Sequence, residues 1–197
     1  MNYLAHASLS FDHPEILVGN MISDFVKGKD KFSYSEEIRK GINLHRSIDN
    51  FTDQHPVNHE AKKIFQPHYR LYSGAFLDVL YDHFLATDEE RYPEDKLKFF
   101  SSVTYKTLST FEPVFPLRFA GMFPYMQKQD WLYNYRLESG VQRSFQGLVH
   151  RALYMDESET AFRLFRKHYS ALKNFYQLFY PELELFARQQ FNELTRL

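Results

Sequence analysis

The sequence contains no cysteine. Disulfides, thiolate zinc sites, iron–sulfur clusters and cysteine nucleophiles are excluded together, and the chain suits a reducing compartment. Glycine is scarce: 7 residues in 197, about half the ordinary ~7%. So few glycines disfavour phosphate-cradling loops, tight β-turns and dinucleotide folds. Excess charge is missing as well. Lys and Arg number 24 against 25 Asp and Glu, a formal net charge of −1. A surplus of basic groups for a nucleic-acid backbone is therefore absent, and no nucleic-acid partner is expected. Long apolar runs are missing too. The stretch 16–26 is broken by Asn20 and Asp24, whereas a membrane span needs ~20 apolar residues. No Lys or Arg precedes Lys27, so the positive n-region of a secretory signal is lacking. The expected location is the cytoplasm, with no membrane association. There is no HExxH, no GxSxG and no GxxxxGKS or GxxxxGKT. Zincin proteases, nucleophile-elbow hydrolases and P-loop proteins fall away.

What is abundant is aromatic and imidazole. Phe and Tyr number 20 and 14 beside a single Trp. Seven of the nine histidines lie within the first 83 residues. The length suits one domain, which would bury roughly 70% of the surface its unfolded chain exposes. Apolar residues recur at helical spacing almost throughout. Ile16, Leu17, Met21, Ile22, Phe25 and Val26 mark a helix over 16–26, with Pro14 near its start and Gly28 past its end. Ser35 and Pro56 bracket a helix over 35–54. Further helices are predicted over 75–86, 93–111, 117–123, 130–148 and 158–179, with Pro181 opening the last. No useful strand alternation appears. The expected fold is all-α, a single compact helical bundle over residues 1–197.

Polar residues interrupt segments that otherwise read as core. AFLDVLYDHFLA, residues 75–86, is apolar nearly all round yet carries Asp78, Asp82 and His83. A helix apolar on every side is usually buried. A buried carboxylate must protonate, find a cation or bind a metal; otherwise Asp78 and Asp82 face water. Asn20 and Asp24 are four apart in the 16–26 segment. His45, Asp49 and Asp53 follow one another at i, i+4 steps, a gently winding stripe. His6 sits between Ala5 and Ala7. Singly, each is more often solvated or hydrogen-bonded than a ligand. Three segments with such ladders point to a site of nitrogen and oxygen donors. Those suit Mn²⁺, Mg²⁺, Fe²⁺ or Zn²⁺, and the chemistry that follows most naturally is hydrolysis by metal-activated water.

At these residues the sequence resembles the acyl carrier protein phosphodiesterases. The matching pieces are MNYLAH at 1–6, GNMISDFVKG at 19–28, GINLHRSIDNFTD at 41–53 and LDVLYDHFL at 77–85. WLYNYR at 131–136 and FYPEL at 179–183 match less specifically. The resemblance implies a helical fold distantly like the HD-type metal phosphohydrolases, an HD-domain-like bundle. It implies hydrolysis of the phosphodiester joining 4′-phosphopantetheine to a serine of holo acyl carrier protein, with a divalent cation, typically Mn²⁺. By position it marks His6, Asp24, His45, Arg46, Asp49, Asp53, Asp78, Asp82 and His83. The sequence departs from the HD pattern in lacking a His-Asp doublet; it has Asp82-His83 in reverse order.

From these come the expected roles. Asp24, His45, Asp49, Asp82 and His83 are the expected metal ligands, some of them one step removed from the ion or shared with a second. Arg46 would neutralise phosphoryl oxygens, or else form a surface ion pair. Asp78 or Asp53 would orient the water or act as base, and His6 would donate a proton to the leaving group. The resemblance implies an acidic carrier protein as the partner. Residues 1–98 hold 12 basic and 16 acidic groups, and residues 99–197 hold 12 and 9. Arg136, Arg143 and Arg151, with Arg163, Arg166 and Lys167, would form a basic docking face, or simply solvated helix faces. The aromatic excess suits core packing, or a groove for the pantetheine arm. Two other readings stand beside this one: a metal phosphohydrolase acting on a nucleotide or other small phosphoester, and a non-catalytic helical binding module. Oligomeric state is left open.

Overall fold

The computed structural model describes residues 1–196, and no β-strand occurs among them. Helices α1 (Tyr3–Ser8) and α2 (Pro14–Ile22) lead into a 3₁₀ turn, Ser23–Phe25, and a second one, Gly28–Ser33. Then come α3 (Glu36–Gln54), α4 (Pro56–Lys62), α5 (Gln66–Tyr69) and α6 (Ser73–Ala86). The second half comprises α7 (Glu94–Ser109), α8 (Leu117–Lys128), α9 (Trp131–Asn134), α10 (Glu138–Arg151), α11 (Glu159–Lys167) and α12 (Tyr169–Thr195). The all-α class expected from the apolar periodicity is what the chain adopts.

Helix α6 is the centre of the core. Eleven of its 14 residues are buried, as expected for a helix apolar all round. It packs against α1, α4, α10 and α12. Phenylalanines and tyrosines fill the space around it, Phe76, Tyr81, Phe84, Phe145, Phe165 and Phe179 among them. Most of the aromatic excess is therefore packing material.

The pairing that matters for the site is α2 against α3. Gly19 and Gly41 face each other where the helices cross. A Cβ on Gly19 would collide with the carbonyl oxygen of Ile38, and one on Gly41 with that of Ile16. Only glycine lets the two backbones come this close. The crossing brings Asn20 and the turn after α2 against His45 on α3. At the start of α3, Ser35 accepts a hydrogen bond from the Ile38 N–H at 3.4 Å, the expected N-cap.

Several helix boundaries differ from expectation, among them the 158–179 helix, which is broken at His168 between α11 and α12. The 16–26 helix ends at Ile22 and tightens into the 3₁₀ turn, which lifts Asp24 out of register with Asn20. The long helix expected from Asp130 is two helices. Asp130 has a left-handed backbone and caps α9, and Leu137 is extended before α10 begins. Helix α8 runs on through Pro124 to Lys128. The helix expected to open at Pro181 begins at Tyr169 and passes through that proline. Proline inside a helix costs ~3 kcal/mol. Burial of Tyr176, Phe179, Tyr180, Leu183 and Ala187 on both sides of Pro181 outweighs it.

Candidate metal centre

Helix α1 is too short to be stable alone, and a carboxylate from another helix holds it. Asp82 of α6 accepts hydrogen bonds from the N–H groups of Leu4 (2.7 Å) and Ala5 (3.0 Å). These are donors of the first turn of α1, which have no partner within the helix. Asp82 is fully buried. Burial pushes its pKa up to about 7, against the pull of the two N–H groups. In the residue that follows this clamp, α1 delivers His6 into the interior.

Asn20, fully buried on α2, ties His6 to His45. Its side-chain oxygen is 2.8 Å from Nδ1 of His6, and its backbone oxygen is 2.7 Å from Nδ1 of His45. Both oxygens are acceptors, so each Nδ1 carries the proton. The Asn20 side-chain nitrogen donates to the carbonyl of His6 at 2.9 Å and to the Ser10 hydroxyl at 3.1 Å. The two imidazoles stack with centroids 3.9 Å apart.

Fixing both Nδ1 protons turns both Nε2 atoms the same way. Nε2 of His6 lies 3.2 Å from one oxygen of Asp49, and Nε2 of His45 lies 3.0 Å from the other. Asp24, the exposed residue of the 3₁₀ turn, approaches Nε2 of His45 to 3.1 Å. Donor atoms of His6, His45 and Asp49 all lie within 4.8 Å of one another. The Met1 amine sits 3.2 Å from Asp49 and 3.2 Å from Asp78.

Charge in this cluster is shared unevenly. Burial opposes charge on His45, but Asp24 and Asp49 overcome it and raise the pKa to about 9. Burial, then the neighbouring His45, lowers His6 to about 4. Burial works to raise Asp49, yet the Met1 ammonium and the two histidines hold it well below the usual range. Asp24 is lowered, first by its hydrogen bond with His45. Asp78 is raised by burial, with the Met1 ammonium pulling the other way.

The residues fit a divalent cation. Neutral His6 presents a buried Nε2 that makes no hydrogen bond, although a carboxylate oxygen stands 3.2 Å away. A lone pair facing an anion needs a proton or a cation between them. Each ring also has its other nitrogen anchored on an oxygen, the usual arrangement behind a ligating histidine. Two imidazoles and two carboxylates without sulfur suit a borderline or hard ion.

Of the expected ligands, the structure brings together Asp24, His45 and Asp49. It adds His6, expected instead as a proton donor. His83 lies elsewhere, although expected in the ligand set. Its Nδ1 is 2.8 Å from the Tyr135 carbonyl oxygen and its Nε2 is 3.2 Å from the Tyr169 hydroxyl, which ties α6 to the α9–α10 junction and α12. Both oxygens of Asp82 are engaged by the α1 amides. Asp53 is exposed and pairs with Lys62 at 2.8 Å, apart from the cluster. Arg46 is exposed and donates to the Val26 carbonyl at 3.1 Å. Asp78 borders the cluster through the Met1 amine. Asn20 anchors both rings, and its trace in the sequence is an amide within an otherwise apolar helix.

The whole chain has counterparts. It matches the family model described as acyl carrier protein phosphodiesterase over residues 1–183. It is 32% identical over 191 residues to a protein of Enterobacter sp. (strain 638) named acyl carrier protein phosphodiesterase, covering 96% of this chain and 99% of that one. Proteins of the same name from Salmonella paratyphi A and from Yersinia enterocolitica serotype O:8 are each 32% identical over 184 residues, covering 93% of this chain and 95% of theirs. No solved structure matches. By this match over most of its length, the chain whose α1 and α3 bring His6, His45 and Asp49 together belongs to the acyl carrier protein phosphodiesterase family.

Proposed function

We propose that this chain hydrolyses the phosphodiester between 4′-phosphopantetheine and a serine of holo acyl carrier protein, releasing apo carrier protein and phosphopantetheine. Family membership supports the substrate. The observation that carries the chemistry is the convergence of His6 Nε2 and His45 Nε2 on Asp49, with both rings anchored through Asn20.

In this reading His6, His45, Asp49 and Asp24 hold one divalent cation, most simply Mn²⁺. When bound, the cation would polarise a phosphoryl oxygen and acidify a water. Asn20 keeps both imidazoles in the tautomer whose Nε2 is free to bind. Asp24, with 69% of its side chain exposed, stands where the cluster meets solvent and substrate. Asp78 is beside the cluster, and its raised pKa makes it a better proton acceptor than an ordinary carboxylate. It would take the proton from the attacking water and pass it to the serine oxygen as the bond between that oxygen and phosphorus breaks. Asp82 acts through α1, holding the helix that carries His6. No helix among the described residues is long and apolar enough to cross a membrane, which agrees with a cytoplasmic carrier-protein substrate.

The test is mass spectrometry of holo carrier protein incubated with the protein and Mn²⁺. Loss of the phosphopantetheine mass is expected. An unchanged carrier protein beside hydrolysed nucleotides would assign the site to a different phosphoester.

A further inference from the structure

A cavity of about 110 Å³ lies between the start of α1, the middle of α6 and one face of α10. Its lining is mixed. Tyr3 and Trp131 give aromatic walls, Asn2 and Asn134 give amide edges, and Arg143 and Arg151 give two cations. Among the described residues, neither guanidinium has a carboxylate within ion-pair reach. In contrast, Arg136 is spent on Glu94 at 2.8 Å and Arg166 on Glu138 at 2.5 Å. The basic face expected along α10 and α11 is thus partly neutralised, and two of its free cations turn up at a cavity.

Two short stretches of chain link the cavity to the candidate metal centre. Asn2 and Tyr3 line it, and His6 follows on the same short helix. Val79 lines it, and its neighbour Asp78 borders the cluster. Aromatic residues continue around the rim. The Tyr3 ring is 6.2 Å from that of Trp131, and its hydroxyl is 3.7 Å from the Met122 sulfur on α8. On the same helix Phe119 packs edge-on against Phe25, the residue after Asp24. Burial pushes Tyr3 up to about 12, while Arg151 pulls it down and Asp24 pushes it up. Tyr3 therefore lies within electrostatic reach of both the cavity and the cluster.

We propose that this cavity is the subsite for the phosphopantetheine arm, a slender chain with two amides and a phosphate at one end. The inference rests on the function proposed above. Asn2 and Asn134 face the amides, Tyr3 and Trp131 flank the branched methyl carbons, and Arg143 and Arg151 draw in the negative charge. At about 110 Å³ the space holds part of the arm, the rest extending out through its open side.

Gly147 gives a clean test. It lines the cavity, and a Cβ placed on it meets nothing within 4 Å. Gly147→Leu therefore fills the space without disturbing α10, and it raises helix propensity. Arg151→Gln removes one cation from an exposed position. Binding of free 4′-phosphopantetheine to the Mn²⁺-loaded full chain is measured by calorimetry, with inorganic phosphate as a second titrant. The melting temperature and Mn²⁺ content of each variant are recorded alongside. Each variant should bind phosphopantetheine at least tenfold more weakly, and inorganic phosphate should bind more weakly than the full arm to the unaltered chain. Unchanged phosphopantetheine binding in both variants, or no binding to the unaltered chain, would overturn the subsite. Should the unaltered chain bind the arm in a Gly147-dependent way yet leave holo carrier protein intact, the reaction is wrong and the subsite stands.

Discussion

The imidazoles of His6 and His45 stack with centroids 3.9 Å apart and planes 14° from parallel. Two rings this close cannot both carry a proton at Nε2 without strong repulsion. The metal-free protein keeps one charge, on His45. A divalent cation would satisfy both Nε2 atoms at once. His6→Ala and His45→Ala should therefore each lower Mn²⁺ affinity by about 100-fold or more, about 2.7 kcal/mol. Equilibrium dialysis with metal analysis checks this, and full occupancy in both variants would dismiss the site.

Asn20 should matter without touching the ion. Its amide and backbone oxygens fix both tautomers. Asn20→Ala leaves the backbone bond to His45 but frees the His6 ring. An outer partner of a ligating histidine is worth about 10–100-fold in metal affinity. We expect a loss in that range for Asn20→Ala. Asn20→Asp, which keeps the acceptor for His6 Nδ1, should lose less affinity even if it is similarly destabilised. Equal Mn²⁺ loss in the two would point to general disruption instead.

Asp82 and His83 are neighbours in sequence with separate jobs. Asp82→Ala leaves the Leu4 and Ala5 amides buried without a partner, a cost of about 1–3 kcal/mol each when unsatisfied. It should loosen α1 and weaken Mn²⁺ binding through His6. His83→Gln retains a polar contact to the Tyr135 carbonyl or the Tyr169 hydroxyl and should keep its full Mn²⁺ content. Thermal melts paired with metal analysis separate them. Loss of metal in His83→Gln with an unchanged melt would return His83 to the ligand set.

That pair also shows what a sequence can and cannot display. His45 and Asp49 are one helical turn apart, so their shared face is legible from spacing alone. Asp24 and His6 stand out as polar residues in apolar runs. Asp82 stands out in the same way, but the amides it clamps belong to Leu4 and Ala5, almost eighty residues earlier. No local pattern records that contact, so a capping carboxylate reads as a ligand. His83 is alike: its partners, Tyr135 and Tyr169, lie 52 and 86 residues away along the chain. The helical class follows from periodicity at every step, and Ser35 and Pro56 mark the ends of α3 because capping is local. Pro181 misleads because the burial of Phe179, Tyr180 and Leu183 is a tertiary effect that propensity does not contain.

The melting temperature of the metal-free protein and its rise on adding Mn²⁺ should change with pH in opposite directions. In the metal-free protein the pKa of His45 is raised to about 9, against ~6.5 in an unfolded chain. A raised pKa contributes stability that is complete below 6.5 and disappears as pH rises through 9. The shift bounds this contribution at about 3 kcal/mol by the 1.36 kcal/mol carried per pKa unit. His6, lowered to about 4, contributes stability lost only as pH falls from 6.5 towards 4, outside this window. The Met1 ammonium, raised to about 11, adds to the loss above pH 8. Protein treated with chelator should therefore melt at falling temperature between pH 7 and 9. Binding of the cation releases the His45 proton, so the rise in melting temperature caused by Mn²⁺ should grow over the same interval. His45→Gln removes the titrating group and should flatten the metal-free curve, leaving only the part due to Met1. A stabilisation by Mn²⁺ that shrinks from pH 7 to 9 would mean that His45 gives up no proton to the metal, and would remove it from the ligand set.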